Sequence, residues 1–269
     1  MSKESIEKIQ RKLELITRRW WFFLIFILIQ FIIPPYASKG YEWAEMGTVT
    51  GEILSHAIVF NYPVLYPVFK IIPIILVISI WFFGNRVTRL YSIYVAITYT
   101  LFAFLQSIAV TEKYGFGIVT INLTMFLIVA AFWLWEAVAK KNDFTLQKRP
   151  LWKYWVTPLA FLTFWYPVNS NMMPDFNPIY LLTNVAGLTF CMMTPVYLAI
   201  LTLYYPKVNI ATLRVTSLVG IIIGFYNMMT NFLIDPGKLW WNGVLHIPIV
   251  VISIYALVLS LKDKKSEPI

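Results

Sequence analysis

The chain is built from apolar blocks close to the length of a membrane-spanning helix, and this pattern constrains its fold more than any other feature. A hydrocarbon core of about 30 Å needs about twenty helical residues at a rise of 1.5 Å per residue. The apolar residues fill each block and do not alternate or recur at helical spacing, as they would in a soluble sheet or helix. We therefore predict an all-α, polytopic membrane protein with about eight transmembrane helices. The predicted spans are Arg19–Ile33, Val68–Phe83, Leu90–Val110, Phe116–Ala139, Trp152–Val168, Pro178–Tyr204, Val215–Ile234 and Leu239–Leu261.

The composition indicates that most of the protein surface does not face water. Hydrophobic residues make up 59% of the 269 residues and charged residues 13%, whereas a soluble domain has about 25% charged residues. The first block follows a charged segment and has no small-x-small cleavage site before Pro34, so we do not expect a cleaved signal peptide. The single cysteine, Cys191, excludes an internal disulfide and is expected to be a small buried hydrophobe.

The distribution of Lys and Arg predicts the orientation in the membrane. With the N-terminus inside, only four of the 22 basic residues fall outside or at the outer mouth: Lys39, Lys70, Lys113 and Lys238. Every inner loop is then basic, as the positive-inside rule requires. We predict a multi-pass protein of the cell membrane with both termini cytoplasmic. The net charge of +9 then marks a contact with anionic lipid at the cytoplasmic face, and no nucleic-acid partner is expected.

Three regions are expected along the chain. Residues 1–19 place apolar side chains at three- and four-residue steps among Lys and Arg, which is typical of an amphipathic helix on the inner membrane surface; a helix that docks onto a partner is the alternative. Residues 20–262 form one transmembrane domain, and residues 263–269 form a cytoplasmic tail. The possible halves, 20–139 and 152–262, would be a 4+4 parallel internal repeat about an axis along the membrane normal. Arg89, Ser92, Gln106 and Lys113 are matched without gaps by Arg214, Ser217, Asn231 and Lys238.

Ionisable residues are almost absent from the predicted spans. Glu136 lies near the inner end of its span, one turn before Lys140, and a snorkelling Glu–Lys pair is the simplest interpretation. No span has a lysine near its centre, an Arg-rich face or a chain of carboxylates and histidines. The sequence therefore argues against a retinal protein, a voltage sensor and a proton relay.

Polar residues concentrate instead toward the predicted outer side. In the seventh span, polar residues at four-residue steps share one helix face, and His246 lies about one turn into the eighth span. We predict one polar cavity open to the outer side, with a loop helix as its lid. The candidate ligand-binding residues are Gln106, Asn227, Asn231, Asp235 and His246, with Glu52 and His56 at the lid. The alternative is that Asn227 and Asn231, which we call the Asn stripe, only form hydrogen bonds between helices.

The same residues include a candidate metal site. Glu52 and His56 are four residues apart and could grip a metal together with His246, as a site of two histidines and one carboxylate. An isolated interfacial histidine more often bonds a neighbour or water. We therefore predict no metal and no cofactor.

No motif in the chain identifies a reaction or a substrate. The polar outer side favours a transporter or channel for a small polar solute. A membrane-embedded enzyme acting on lipid or isoprenoid, a structural subunit of a larger membrane complex and a receptor-like binding module are the alternatives. Homo-oligomers or other membrane-complex partners are compatible with each of these.

Overall fold

The computed structural model describes residues 2–146 and 148–262, and the predicted tail, 263–269, lies outside the described residues. The fold is mostly helical, at 77%. The described helices are α1 (Lys3–Arg18), α2 (Trp20–Ile32), α3 (Met46–Ser55), α4 (Tyr66–Phe83), α5 (Thr88–Leu101), α6 (Thr120–Ala139), α7 (Val156–Trp165), α8 (Tyr180–Thr183), α9 (Phe190–Tyr204), α10 (Ile210–Met229) and α11 (Pro236–Lys262). The described strands are β1 (Tyr36–Ala37), β2 (Ile108–Thr111) and β3 (Gly115–Ile118).

Five continuous helical segments are long and apolar enough to cross a membrane. They are Pro63–Arg86, Thr88–Gln106, Thr120–Ala139, Ile210–Ile234 and Pro236–Lys262. Two further spans are possible if bent pairs count as one each: α1 with α2, bent by 65°, and Tyr180–Leu188 with α9, bent by 94°. The described residues thus contain five to seven candidate spans. This confirms the predicted helical class, and the length and apolar composition of these helices support the predicted membrane class.

The structure does not support the count of eight. The fifth predicted span, Trp152–Val168, begins as a 3-10 helix, and α7 then runs for only 10 residues until Tyr166 adopts a left-handed conformation with φ 52°. Ten helical residues rise about 15 Å, which is half of a hydrocarbon core. The sixth predicted span is broken by the 94° bend before α9. An apolar run therefore does not guarantee one straight helix.

A small antiparallel sheet was not predicted. Its strand order is β1-β3-β2, with Tyr36 and Ile108 both paired to Ile118. The prediction had assigned Ile108 to the third span and Ile118 to the fourth. Helix α3 packs on the sheet through Val49 and Ile53, which meet Ala37, Ala109, Tyr114 and Val119.

The helical core is centred on α9 and α10, where most side chains are buried. An aromatic cluster fills the space between these helices and α5 and α6. Phe126 stacks on Phe190 with ring centroids 4.2 Å apart, and Tyr99 and Tyr197 meet edge to face at 5.7 Å. By contrast, the apolar side chains of α2 and much of α4 are exposed, as expected for faces that contact lipid.

Candidate functional site

The C-terminus of α7 collects polar side chains from distant parts of the chain. The last carbonyls of a helix have no partner within it and must be satisfied from elsewhere. Lys70 of α4 donates a hydrogen bond to the carbonyl of Phe164. Asn184 donates to the carbonyls of Trp165, at 2.7 Å, and Tyr166, at 3.0 Å. We call Lys70, Asn184 and this helix end the polar junction.

Lys70 is fully buried within a candidate span. Its ammonium lies 4.5 Å from the centre of the Phe164 ring, in addition to its bond to the Phe164 carbonyl. Among the ion pairs between described residues, none includes Lys70. A helix C-terminus carries a partial negative charge that favours a cation, but a buried ammonium remains costly without a full counter-charge.

The sequence interpretation had placed Lys70 at the outer mouth as a topology residue, and the structure buries it instead. Its position two residues inside the predicted span Val68–Phe83 was the available signal. Lysines within a span are rare and usually functional.

The broken helix pair lies directly against Lys70. Between α8 and α9 the chain forms a 3-10 helix, Val185–Leu188, which Asn184 caps by accepting a bond from the amide of Ala186 at 3.1 Å. A Cβ added to Gly187 would lie 2.5 Å from the carbonyl oxygen of Phe69 and 3.2 Å from the amide nitrogen of Lys70. Only glycine permits this approach of one backbone to another.

The predicted stripe on α10 forms a connected set of hydrogen bonds. Asn231 donates to the carbonyl of Asn227 at 2.7 Å and accepts from the side chain of Asn242 at 2.8 Å. Asn242 in turn accepts from the hydroxyl of Tyr166 at 2.9 Å, and its carbonyl lies 2.7 Å from Nδ1 of His246. The structure therefore brings Asn227, Asn231 and His246 together and links them to the polar junction. Asn242 was not among the predicted site residues, although its position one turn before His246 was a signal.

Gln106 lies on the other side of the start of α9. Its Oε1 accepts a bond from the amide of Phe190 at 2.9 Å, while the Nδ2 of Asn227 is 3.4 Å from the Sγ of Cys191. The two predicted residues thus flank the first turn of α9. Asp235 is half-buried at the turn before α11, where its amide bonds the carbonyl of Thr230 at 3.2 Å.

The predicted lid residues lie on α3. His56 is exposed and Glu52 is half-buried, with His56 Nδ1 3.5 Å from Oε1 of Glu52. Each bonds locally, and α3 packs on the sheet. The segment packed against the π-helix Phe102–Gln106 is instead the 3-10 helix Ile58–Asn61, which also lies against Val185–Leu188.

No group of three His, Cys, Asp or Glu side chains in the described parts of the chain could hold a metal ion. No protein-family model, curated protein or solved structure matches the chain. Its function must therefore be inferred from the chemistry of its own residues.

A second polar cluster lies at the opposite ends of the helices. Glu136 does not snorkel toward Lys140 but is buried, and it accepts bonds from the amide of Asn142 and the side chain of Asn209, both at 2.7 Å. Gln10 of α1 donates to Asn209 at 2.9 Å. Arg214 of α10, also buried, donates to the carbonyl of Glu14 and the hydroxyl of Thr17.

These bonds hold α1 against α6 and α10 through polar residues. The amphipathic pattern of residues 1–19 had suggested contact with the membrane surface or a partner, and the structure adds an intramolecular contact. Because every cation and carboxylate in this cluster is bonded within the chain, we assign the cluster a structural role.

Proposed function

We propose that the chain is a membrane transporter or channel for a small polar solute, and that the solute is an anion that binds at the polar junction. The burial of Lys70 carries this proposal. An ammonium has three donors, and the Phe164 carbonyl accepts one of them. A carboxylate, sulfate or phosphate group would supply both the missing acceptors and the missing counter-charge.

The backbone around the junction supports translocation. Transporters bind solutes where helices are interrupted inside the membrane, because the broken ends can satisfy a ligand and can rearrange. Here the interruption lies between α8 and α9. In addition, α5 and α10 each pass into a π-helix, Phe102–Gln106 and Thr230–Ile234, a feature frequent at functional sites.

The experiment uses the full-length protein in detergent and a panel of anions: acetate, succinate, sulfate and inorganic phosphate. At least one anion should raise the melting temperature of the wild type and enter proteoliposomes that contain it. Lys70→Gln keeps a donor for the Phe164 carbonyl but removes the charge, so it should fold and lose both effects. Lys39→Met is the matched control, because Lys39 also donates to a carbonyl, that of Glu112, but is exposed.

An anion effect that persists in Lys70→Gln would overturn the proposed site. If no anion in the panel stabilises the wild type or enters the proteoliposomes, the proposal of anion transport fails.

A structural subunit of a membrane complex is the second candidate, and one observation favours it. The side chains of Asn231, Asn242 and Tyr166 form a chain of hydrogen bonds, as side chains that hold a bundle together would. This reading predicts partners that co-purify from native membranes. The alternative of a lipid or isoprenoid enzyme gains no such support, since His56 bonds Glu52 and Ser55 of α3, and His246 bonds Asn242 within α11.

The finer topology also remains a proposal. Eight crossings require α7 to cross together with the 3-10 helix Leu151–Trp155; at about 2 Å per 3-10 residue, the two reach about 25 Å. Cytoplasmic termini in the cell membrane follow from the basic loops. The parallel repeat is proposed from the sequence matches between the halves, and α5 and α10, which correspond to the third predicted span of each half, both continue into a π-helix.

A further inference from the structure

A basic cleft lies where the turn between α4 and α5 meets the segment after α6. It encloses about 560 Å³. Four cationic side chains line it: Arg86, Arg89, Lys140 and Lys141. Two buried polar side chains, Thr88 and Asn142, also belong to the lining. We call this site the basic cleft. It is distinct from the polar junction, and Asn142 connects it to the buried Glu136 cluster.

The charge of the cleft is strongly positive. Its one carboxylate, Asp143, accepts bonds from Thr145 and from the side chain of Asn85, at 2.6 Å, and pairs with Lys207 at 3.5 Å. These bonds, first those from Thr145 and then that from Asn85, lower the pKa of Asp143 to about 2. The carboxylate is therefore already engaged and does not neutralise the four cations around the cleft.

Two buried polar atoms of the lining have no hydrogen-bond partner in the described structure: Oγ1 of Thr88 and Nδ2 of Asn142. Both residues are more than nine-tenths buried. The backbone amide and Oδ1 of Asn142 are used, by Glu136 and by the amide of Asn209, so its Nδ2 is the donor left over. A buried donor without a partner requires an explanation, and a bound ligand or ion is one of them.

The backbone at the start of α5 also favours binding of an anion. Thr88 is the first residue of α5, a helix of 14 residues whose N-terminus has no side-chain cap. The amides of an uncapped N-terminus and the positive end of the helix dipole favour an anion with several oxygens.

The residues next to the cleft are of the kind found at a membrane interface. The last residues of α4, Trp81, Phe82 and Phe83, are all exposed aromatic side chains next to the turn. Exposed aromatic residues at a helix end are typical of the level of the lipid head groups.

We propose that the basic cleft binds a phosphate group, either that of an anionic lipid head group or that of a soluble phosphate compound. The cations would supply the counter-charge, and Thr88, Asn142 and the α5 N-terminus would donate to the phosphate oxygens. The proposal does not depend on solute transport at the polar junction.

The test measures two probes on the full-length protein. Native mass spectrometry of protein extracted from vesicles of equal parts phosphatidylglycerol and phosphatidylcholine reports retained lipid. Calorimetry with inorganic phosphate reports soluble binding. Arg86→Gln combined with Arg89→Gln changes two exposed side chains of the cleft. Lys148→Gln combined with Lys153→Gln removes the same charge outside it.

The cleft variant should lose at least about tenfold in affinity for the bound probe, since a charge-assisted hydrogen bond contributes about one order of magnitude. The control should stay within about twofold, as expected for charges that do not line the site. Retention of phosphatidylglycerol would identify a lipid head group as the source, and binding of inorganic phosphate alone would identify a soluble compound. Without a probe, Thr88→Val should have a higher melting temperature than the wild type, because it removes an unpaired buried hydroxyl. It should also bind the probe more weakly, because the same hydroxyl would donate to the phosphate.

Equal loss in the cleft variant and the control would overturn the proposal, because the effect would then come from net charge. The proposal would also be overturned if the wild type bound neither phosphatidylglycerol nor inorganic phosphate. The same holds if Thr88→Val and the cleft variant bound the probe as tightly as the wild type does.

Discussion

Gly187 offers the sharpest test of the polar junction, because an added methyl group would meet backbone atoms. In Gly187→Ala the new Cβ would lie 2.5 Å from the carbonyl oxygen of Phe69 and 2.8 Å from its carbonyl carbon. No rotamer change can relieve contacts with a backbone. The 3-10 helix Val185–Leu188 and α4 would have to move apart beside Lys70, and overpacking of this kind costs about 1–3 kcal/mol.

For a chain of this size that free energy corresponds to a melting temperature lower by about 3–10 °C. Tryptophan fluorescence during heating in detergent measures the change. Gly51→Ala is the matched control: a Cβ there meets nothing within 4 Å, and α3 is a helix in which alanine is preferred to glycine. The control should melt at or above the wild-type temperature. If the melting temperature of Gly187→Ala equals those of the wild type and of the control, the close contact between the broken helix pair and α4 is refuted.

The remaining predictions concern topology, the Asn stripe and the acid response. In a Cys191→Ser background, Lys113→Cys should react with an impermeant thiol reagent from outside and Lys141→Cys should not; the reverse pattern in intact cells would reject the proposed orientation. Asn231→Leu removes two interhelical or intrahelical bonds and should lower stability by about 1 kcal/mol; retained anion binding in that variant would favour a structural role for the stripe, and unchanged thermal stability would speak against it. The pKa of Asp143 is lowered from 3.8 to about 2, so its stabilising contribution is present above pH 3.8 and declines as the pH falls toward 2. Asp143→Asn should therefore flatten the acid dependence of the melting temperature in that window, and identical curves for variant and wild type would contradict this assignment.

The helical membrane class could be predicted because it depends on the length of apolar runs and on little else. The same criterion could not find the sheet. The residues of β2, Ile108–Thr111, continue the apolar run of α5, and those of β3 precede α6 without a polar break. The signal that separates them is the short polar turn with Gly115, whose φ of 68° suits a tight hairpin. The prediction relied on the length of the apolar runs and interpreted this turn as a loop between two spans.

The polar site could be predicted only where its residues share one helix. Asn227 and Asn231 are one turn apart on α10, so helical periodicity placed them on one face. Their partners, Asn242 and Tyr166, come from other segments, and no spacing in the sequence encodes those contacts. Glu52 and His56 are likewise one turn apart, but which surface α3 covers depends on the sheet, which had not been predicted.

Lys70 shows why counting charges can miss a site. The positive-inside rule treats each basic residue near a span end as solvated, because most of them are. Here α7 ends after 10 residues, and its free carbonyls face the interior of the protein, where water does not satisfy them. A lysine meets that demand for a donor, yet Asn184 and Trp241 meet it at neighbouring carbonyls without any charge. A neutral side chain would therefore suffice for capping alone. The presence of an ammonium at this position instead of an amide or indole is the feature that capping does not explain and that an anionic ligand does.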